Sequence, residues 1–134
     1  MAYTGTVYRW DMFWADLEPG IGSEQKGERR PVIVVSNDGF NGAFPVVTVV
    51  SATKATGKRR RPYPFEVLLP AGTITPDHAS IVMPHQVRTI SKLRLLERIG
   101  TLENESFREQ VENRLLEHFA IAFEDEKFDD GAAL

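Results

Sequence analysis

The chain has 134 residues, a mass of 15.1 kDa and a net charge of −3, which is the size of a single domain. It contains no cysteine, so disulfides, thiol catalysis and zinc–thiolate sites are excluded. The longest mainly apolar run, residues 46–50, is far shorter than the about 18 residues of a membrane span, and residues 1–11 lack the pattern of a secretory signal. We therefore expect one cytoplasmic domain that has no membrane partner.

Charge is unevenly distributed along the chain. Residues 1–101 carry 13 lysines and arginines against 9 acidic residues, whereas residues 102–134 carry 3 against 10. The sequence pI of 5.6 therefore does not exclude a nucleic-acid partner, because the larger part of the chain is basic. A solvated acidic helix and tail is the simpler interpretation of the last quarter.

Short strands separated by turns dominate the first three quarters of the chain. Residues 12–17 alternate in polarity, which predicts a half-buried strand, and residues 31–36 form a β-branched run, which predicts a strand covered on both faces. Residues 37–39 predict a turn, and residues 91–96 can hold one helical turn. Further strands are predicted at residues 46–51, 65–69, 80–83 and 86–90. The pattern predicts a mainly β (α+β) protein, with a small barrel or sandwich rather than βαβ units.

One long helix is predicted near the end of the chain, from about Glu103 to about Phe123. Its apolar residues recur every three or four positions, at Phe107, Val111, Leu115, Phe119 and Ala122. We expect residues 1–123 to form the single domain and the acidic residues 124–134 to be a frayed tail.

Two segments at strand ends carry groups that can bind a phosphate. Arg30 precedes a proline, which biases its backbone toward an extended form, so its guanidinium lies at the mouth of the buried strand. A surface arginine paired with Glu28 is the alternative interpretation. Residues 51–54 place hydroxyl groups after the next strand, where they bind phosphate or, more often, cap a turn.

Two further segments suit contact with a nucleic acid. The basic run at residues 57–61 is followed by Tyr63 and Phe65, and cations beside aromatic rings are typical of surfaces that bind single strands. Basic loops are also simply solvated. His85 stands next to Gln86 and supplies a group whose charge changes near neutral pH.

The motifs of several enzyme classes are absent from the sequence. It has no GxxxxGK[ST], GxGxxG or GxSxG motif, and its three histidines are not at metal-binding spacing. What remains is a metal-free set of Arg, Thr, His, Gln and Glu. These groups suit cleavage of RNA by its own 2′-hydroxyl, which needs a base, an acid and a cation for the phosphorane. Residue types alone do not single out this reaction.

Three ordered segments carry a resemblance to a known family. They are residues Asp11–Pro19, Gly22–Gly27 and Arg30–Ser36. Together they resemble the opening of the MazF/PemK toxins, which are the ribonuclease components of toxin–antitoxin pairs. The likeness continues through residues 46–53, 63–67 and 86–90, and it covers roughly residues 5–123.

The resemblance implies an SH3-like barrel of short antiparallel strands with a C-terminal helix, working as a homodimer that a cognate antitoxin neutralises. It implies sequence-selective cleavage of single-stranded RNA, including mRNA, without a metal or other cofactor. The products would carry 2′,3′-cyclic phosphate and 5′-hydroxyl ends. By position, the catalytic roles fall on Arg30, which would stabilise the phosphorane, and on Thr53, which would bind the scissile phosphate. The RNA contacts fall on Ser23, Glu24, Gln25, His85 and Gln86.

The sequence departs from the family pattern near two of these positions. The loop from Ser23 to Arg30 is one residue longer than usual, which makes Arg29 a rival for the catalytic role, although adjacency to the strand proline favours Arg30. The position of His85 is often acidic in the family. The sequence does not distinguish base from acid among Arg30, His85 and Glu24.

The alternative function is that of a non-catalytic protein with the same fold. Such a protein would bind RNA without cleaving it, or would grip a protein target as the CcdB-like gyrase poisons do. The presence of Arg30 and Thr53 at their motif positions argues against both. Salt-dependent RNA affinity without cleavage would support the RNA-binding alternative.

Overall fold

The computed structural model describes residues 2–59 and 61–122, which form one antiparallel sheet and two helices. The strands are β1 Asp11–Ala15, β2 Arg30–Val34, β3 Val46–Lys54, β4 Val67–Leu69, β5 Ser80–Ser91 and β6 Leu95–Thr101. The helices are α1 Asp38–Ala43 and α2 Glu105–His118, and short 3-10 turns lie at Gly57–Arg59 and Lys92–Arg94. The strand order is β4-β5-β3-β2-β1-β6.

The predicted fold class, mainly β with a C-terminal helix, is confirmed. Neighbouring strands in the sheet all pair in the antiparallel direction. Strands β2 and β3 lie at the centre of the sheet. Strands β4 and β6 occupy the two edges, and no pairing joins them within the described ranges. The result is an open six-stranded sheet in a small α+β domain.

Strand β2 is buried on both faces, as its β-branched sequence predicts. Val32 and Val34 belong to the apolar cluster that also contains Phe13 and Leu17. Ile33 points the other way and belongs to a second cluster on the opposite face. Because both faces are covered by apolar side chains, the ends of β2 are held in fixed positions, and Arg30 is the first residue of that strand.

Helix α2 covers one face of the sheet, but it is shorter than predicted. Val111 is fully buried, and Phe107 and Leu115 pack against the same cluster, so the predicted apolar stripe is confirmed at these three positions. The helix begins after Asn104, whose side chain accepts a hydrogen bond from the Phe107 amide at 3.1 Å.

The predicted end of α2 is wrong. The helix ends at His118, and Ala120 has a positive φ of 58°, which helical residues do not adopt. Phe119 is therefore 57% exposed, and Ala122 is also exposed beyond the helix, so neither extends the apolar stripe. Phe123 and the predicted frayed tail, residues 124–134, lie outside the described residues.

Strand β5 is continuous, although the sequence predicts two strands separated by Pro84. Val49 pairs with Arg88 and Ser51 pairs with Met83, so the single residue between them in β3 faces residues 84–87 of β5. This irregularity accommodates proline, which cannot donate a hydrogen bond to a regular ladder. It also takes His85 and Gln86 out of the ladder.

Helix α1 and strand β6 were not predicted from the sequence. Residues 37–39 begin α1 rather than a simple turn, with the Asn37 side chain accepting a hydrogen bond from the Phe40 amide at 2.8 Å. The six residues of α1 include two glycines, which weakens any helical signal. Only Lys92–Arg94 of the predicted turn at residues 91–96 is helical, and Leu95 begins strand β6.

We predict that Ile33→Ala lowers the free energy of unfolding by about 2–5 kcal/mol, because it empties a well-packed site at the centre of the sheet. Leu93→Ala is the control, since Leu93 is 79% exposed and should change stability by less than about 0.5 kcal/mol. Urea denaturation at one protein concentration measures both. Equal losses in the two variants would contradict this description of the core.

Candidate active site

A cleft of about 400 Å³ opens where β2 begins and β3 ends. It is lined by Trp14, Arg29, Arg30, Pro31, Thr53, Lys54, Thr56, Arg59, Ile74, Thr75 and Ser80. The structure therefore brings together both residues to which the sequence assigns a catalytic role, Arg30 and Thr53. The rival arginine, Arg29, lies in the same cleft.

The pairing of β2 with β3 explains why Arg30 and Thr53 meet. Val32 is opposite Ser51, and Ile33 and Val34 continue the same register. Extended by two residues in the other direction, this register places Arg30 opposite Thr53. Two residues that are 23 positions apart in the sequence thus become neighbours across two adjacent strands.

The side chain of Arg30 is held in place by the preceding loop. Its Nε donates a hydrogen bond to the Lys26 carbonyl at 2.8 Å. With the Gln25 amide oriented to accept, its oxygen lies 3.0 Å from Nε and 3.1 Å from Nη2 of Arg30. These contacts order the guanidinium without neutralising its charge, which leaves it suited to an anionic ligand.

Gly27 provides the space that Arg30 occupies. Its φ of 130° lies in a region that favours glycine. A Cβ atom at this position would be 3.0 Å from Nε and 3.1 Å from Cγ of Arg30. The glycine in the loop motif therefore serves the placement of the arginine as well as the turn.

Gln86 connects β5 to the loop that precedes Arg30. Its side-chain oxygen accepts a hydrogen bond from the backbone N–H of Gln25 at 3.1 Å, and its Nε2 donates to the backbone carbonyl of Ser23 at 3.0 Å. The side chains of Ser23 and Glu24 are exposed on the same loop. Four of the five residues predicted to contact RNA therefore lie together, and Gln25 joins them to Arg30.

Arg29 is engaged differently from Arg30. Two of its nitrogens hydrogen-bond to the two carboxylate oxygens of Glu97, and its guanidinium lies over the Trp14 ring, 4.9 Å from the centroid. The hydrogen bonds raise the pKa of Arg29 and lower that of Glu97. No ion pair of Arg30 with a carboxylate occurs among residues 2–59 and 61–122. Both terminal nitrogens of Arg29 are thus occupied, which favours Arg30 over Arg29 as the group that receives the cleaved phosphate.

His85 does not line the cleft. Its ring packs edge-on against Phe65, with the centroids 4.7 Å apart, and its Nδ1 is buried without a hydrogen-bond partner among the described residues. Burial lowers the pKa of His85, and nearby Glu66 opposes this shift only in part. The lowered pKa favours the uncharged imidazole.

Several cleft residues were missed by the sequence analysis. Thr56, Ile74, Thr75 and Ser80 come from three separate segments, and no local motif distinguishes them. Ser80 reaches the cleft because it pairs with Lys54 across β3 and β5. The proximity of these residues follows only from the register in which β3 and β5 pair. That register cannot be read from the sequence, because the pairing is irregular at residues 84–87 of β5.

Comparison with known proteins agrees with this fold. The pattern of the PemK-like, MazF-like toxins of type II toxin-antitoxin systems matches residues 8–119. The chain is 37% identical over 99 residues to "Endoribonuclease EndoA" of Bacillus subtilis, a match that covers 74% of this chain and 83% of that protein.

Two solved structures have the same fold. MazF from Deinococcus radiodurans has a TM-score of 0.72 at 24% identity, over 88% of this chain and 100% of that one. An endoribonuclease in complex with its cognate antitoxin, from a mycobacterial species, has a TM-score of 0.68 at 17% identity, over 90% of this chain and 99% of that one.

The chain belongs to the PemK-like, MazF-like toxins of type II toxin-antitoxin systems. The resemblance seen in the sequence is thereby confirmed, and it extends over most of the folded domain. In the part of the chain that the structure describes, no helix has both the length and the apolar composition needed to cross a membrane.

We predict that the His85 imidazole titrates below pH 6.5, because protonation would place a charge in a partly buried apolar contact. The measurement is an NMR pH titration of the histidine ring protons, assigned with a His85→Gln variant. Phe65→Ala should raise the midpoint by exposing the ring to water. A midpoint at or above 6.5 in the unaltered protein would contradict this assignment.

Proposed function

We propose that this toxin is an endoribonuclease that cleaves single-stranded RNA, including mRNA, without a metal ion. The observation that carries the proposal is the placement of Arg30 and Thr53 in one cleft. A relative that is 37% identical and bears the name endoribonuclease supports it. In this reaction the RNA itself supplies the nucleophile, so the protein needs only to position the strand and stabilise charge.

The proposed reaction is an internal transfer at phosphorus. The ribose 2′-oxygen attacks the adjacent phosphorus and forms a new P–O bond, while the bond from phosphorus to the 5′-oxygen breaks. The proton of the 2′-hydroxyl passes to a base, and the leaving 5′-oxygen receives a proton from an acid. The products are a 2′,3′-cyclic phosphate and a 5′-hydroxyl.

Arg30 is suited to the phosphorane that forms in this reaction. Its guanidinium carries a fixed positive charge, and the loop holds its Nε side, so the remaining N–H groups can donate to the non-bridging oxygens. The Thr53 hydroxyl can donate to the same phosphate. Of the three groups considered as base or acid from the sequence, Arg30 lines the cleft, whereas Glu24 and His85 do not.

We assign substrate selection to the loop that precedes Arg30 and to the part of β5 that is bonded to it. The exposed loop side chains Ser23 and Glu24 can read the edges of unstacked bases, which is how single-stranded RNA is usually recognised. Gln25 and Gln86 fix the loop, and His85, which directly precedes Gln86 in β5, lies beside Phe65. We assign these five residues to RNA binding rather than to bond cleavage.

Partners and location follow from the same proposal. A solved structure of similar fold is that of an endoribonuclease with its cognate antitoxin. We propose that this toxin also has a cognate antitoxin, which neutralises it by covering the cleft, and that it works as a homodimer. Because mRNA is the substrate, the site of action is the cytoplasm.

We predict that the purified protein cuts a long, weakly structured RNA in EDTA and leaves 2′,3′-cyclic phosphate ends. Arg30→Ala should lower the cleavage rate by about 10²–10³-fold, because it removes the main donor to the phosphorane. Arg29→Ala should have a much smaller effect, since Glu97 already binds that guanidinium. Mapping of the cut ends and single-turnover rates provide the measurement.

The outcomes separate the competing assignments. Loss of cleavage in Arg29→Ala alone would move the catalytic role to that residue. Loss of cleavage in EDTA would contradict the metal-independent reaction. Salt-dependent RNA binding without any cleavage would replace the proposal with a non-catalytic RNA-binding function.

We also predict that Gly27→Ala lowers the cleavage rate by about 10–100-fold, because the added methyl group displaces Arg30 and small displacements of a catalytic group are costly. Gly42→Ala in α1 is the matched control, since a Cβ there has no atom within 4 Å. Equal rates for the two variants would show that Gly27 does not position Arg30.

A further inference from the structure

A second arginine, Arg59, extends into the cleft from the segment between β3 and β4. It ends the 3-10 turn Gly57–Arg59 and lines the same cleft as Arg30 and Thr53. The proposed reaction assigns no role to it. The cleavage of one phosphodiester bond does not account for a second cation at this position.

Arg59 is anchored by a buried carboxylate. Both oxygens of Glu66 lie 2.7 Å from Nη2 of Arg59, and the Glu66 side chain is only 1% exposed. Glu66 also accepts a hydrogen bond from the Tyr63 amide at 2.9 Å. The Tyr63 ring lies against the guanidinium, 4.7 Å from its central carbon. The side chain is therefore held in one position before any ligand arrives.

The anchor leaves most of the guanidinium free to bind a ligand. A guanidinium has five N–H donors, and among the described residues only Nη2 of Arg59 donates to a protein acceptor. The Arg59 side chain is 30% exposed, in contrast to its buried partner. A cation that served only to neutralise Glu66 could be fully buried, whereas the Arg59 side chain is partly exposed and lines the cleft.

The surroundings of Arg59 suit an anion. Lys54, Thr56 and Thr75 line the same cleft, and none of them brings negative charge. The negative charge of Glu66 is neutralised by Arg59, and the Glu66 side chain is buried. A planar, ordered guanidinium beside hydroxyl groups and a lysine is a typical arrangement for binding a phosphate.

We propose that Arg59 forms a second phosphate-binding subsite, which holds a phosphate next to the one that is cleaved, and that Glu66 is its positioning residue. This inference rests on the proposed function, because the phosphate belongs to the same RNA strand. The subsite fixes the path of the strand through the cleft. It contributes to binding of the RNA and not to the chemistry at phosphorus.

The test measures binding to a short RNA that contains one cleavage site with a 2′-deoxy sugar, so that it binds without being cut. Arg59→Ala should weaken binding at least tenfold and reduce the slope of log Kd against log salt by about 0.7, as expected for one lost phosphate contact. Arg114→Ala is the control, because Arg114 is also 30% exposed and pairs with a glutamate on α2. The control should leave both quantities unchanged.

Substitution of individual phosphates identifies the partner of Arg59. In the unaltered protein, a neutral methylphosphonate at the contacted position should weaken binding about as much as Arg59→Ala does. In the Arg59→Ala variant, the same methylphosphonate should cause no further loss. The proposal would be overturned if, at every phosphate position, the loss of affinity caused by the methylphosphonate added to the loss caused by Arg59→Ala.

Two further variants separate positioning from folding. Arg59→Ala leaves Glu66 buried and unpaired, so the double variant Arg59→Ala/Glu66→Gln provides a neutral replacement whose melting temperature can be checked. Glu66→Gln alone should raise KM with little change in kcat, and it should have no further effect on binding when Arg59 is already alanine. An effect of Glu66→Gln that persists in that background would overturn its positioning role.

Failure of this inference is distinguishable from failure of the proposed function. If the all-ribose RNA is not cleaved, the endoribonuclease assignment fails, while the binding measurements still test Arg59. If the RNA is cleaved but Arg59→Ala keeps the affinity and salt slope of the unaltered protein, the second subsite fails alone. If the unaltered protein does not bind RNA at all, both are overturned.

Discussion

The pairing of β2 with β3 at the centre of the sheet is the interaction on which the site depends. Both strands are rich in β-branched residues with almost no exposed surface, so a shift of register by one residue would turn apolar side chains toward the wrong face. The hydrophobic effect thereby fixes the alignment of the two strands. That alignment brings the first residue of β2, Arg30, next to Thr53 near the end of β3.

The cleft concentrates three arginines, and the structure holds each of them by a different means. Arg30 is bound by a backbone carbonyl and an amide oxygen, Arg29 by an exposed carboxylate and Arg59 by a buried one. Like charges in one cleft repel each other, and carboxylates reduce that repulsion at two of the three positions. Among the described residues, Arg30 is therefore the one of the three without a carboxylate partner, and its charge is available to the cleaved phosphate.

Much of this arrangement could be predicted from the sequence, because its signals are local. The run at residues 31–36 indicated a strand covered on both faces, and adjacency to Pro31 placed Arg30 at its start. The catalytic assignments to Arg30 and Thr53 came from family resemblance, and the structure places both in one cleft, while their roles stay predictions. The continuity of β5 through Pro84 and the neighbours Thr75 and Ser80 could not be predicted, since they depend on a non-local register.

The attachment of the loop that precedes Arg30 has a consequence for how this toxin can diversify. Gln86 holds the loop through two backbone groups, the Gln25 amide and the Ser23 carbonyl, and it contacts no loop side chain through these bonds. Exchange of the side chains at positions 23 and 24 leaves both hydrogen bonds available, and at position 25 only proline would remove one. The side chains of the loop can therefore be exchanged while its backbone conformation is kept. In the proposed function, single substitutions in this loop change the base preference while the rest of the domain stays as it is.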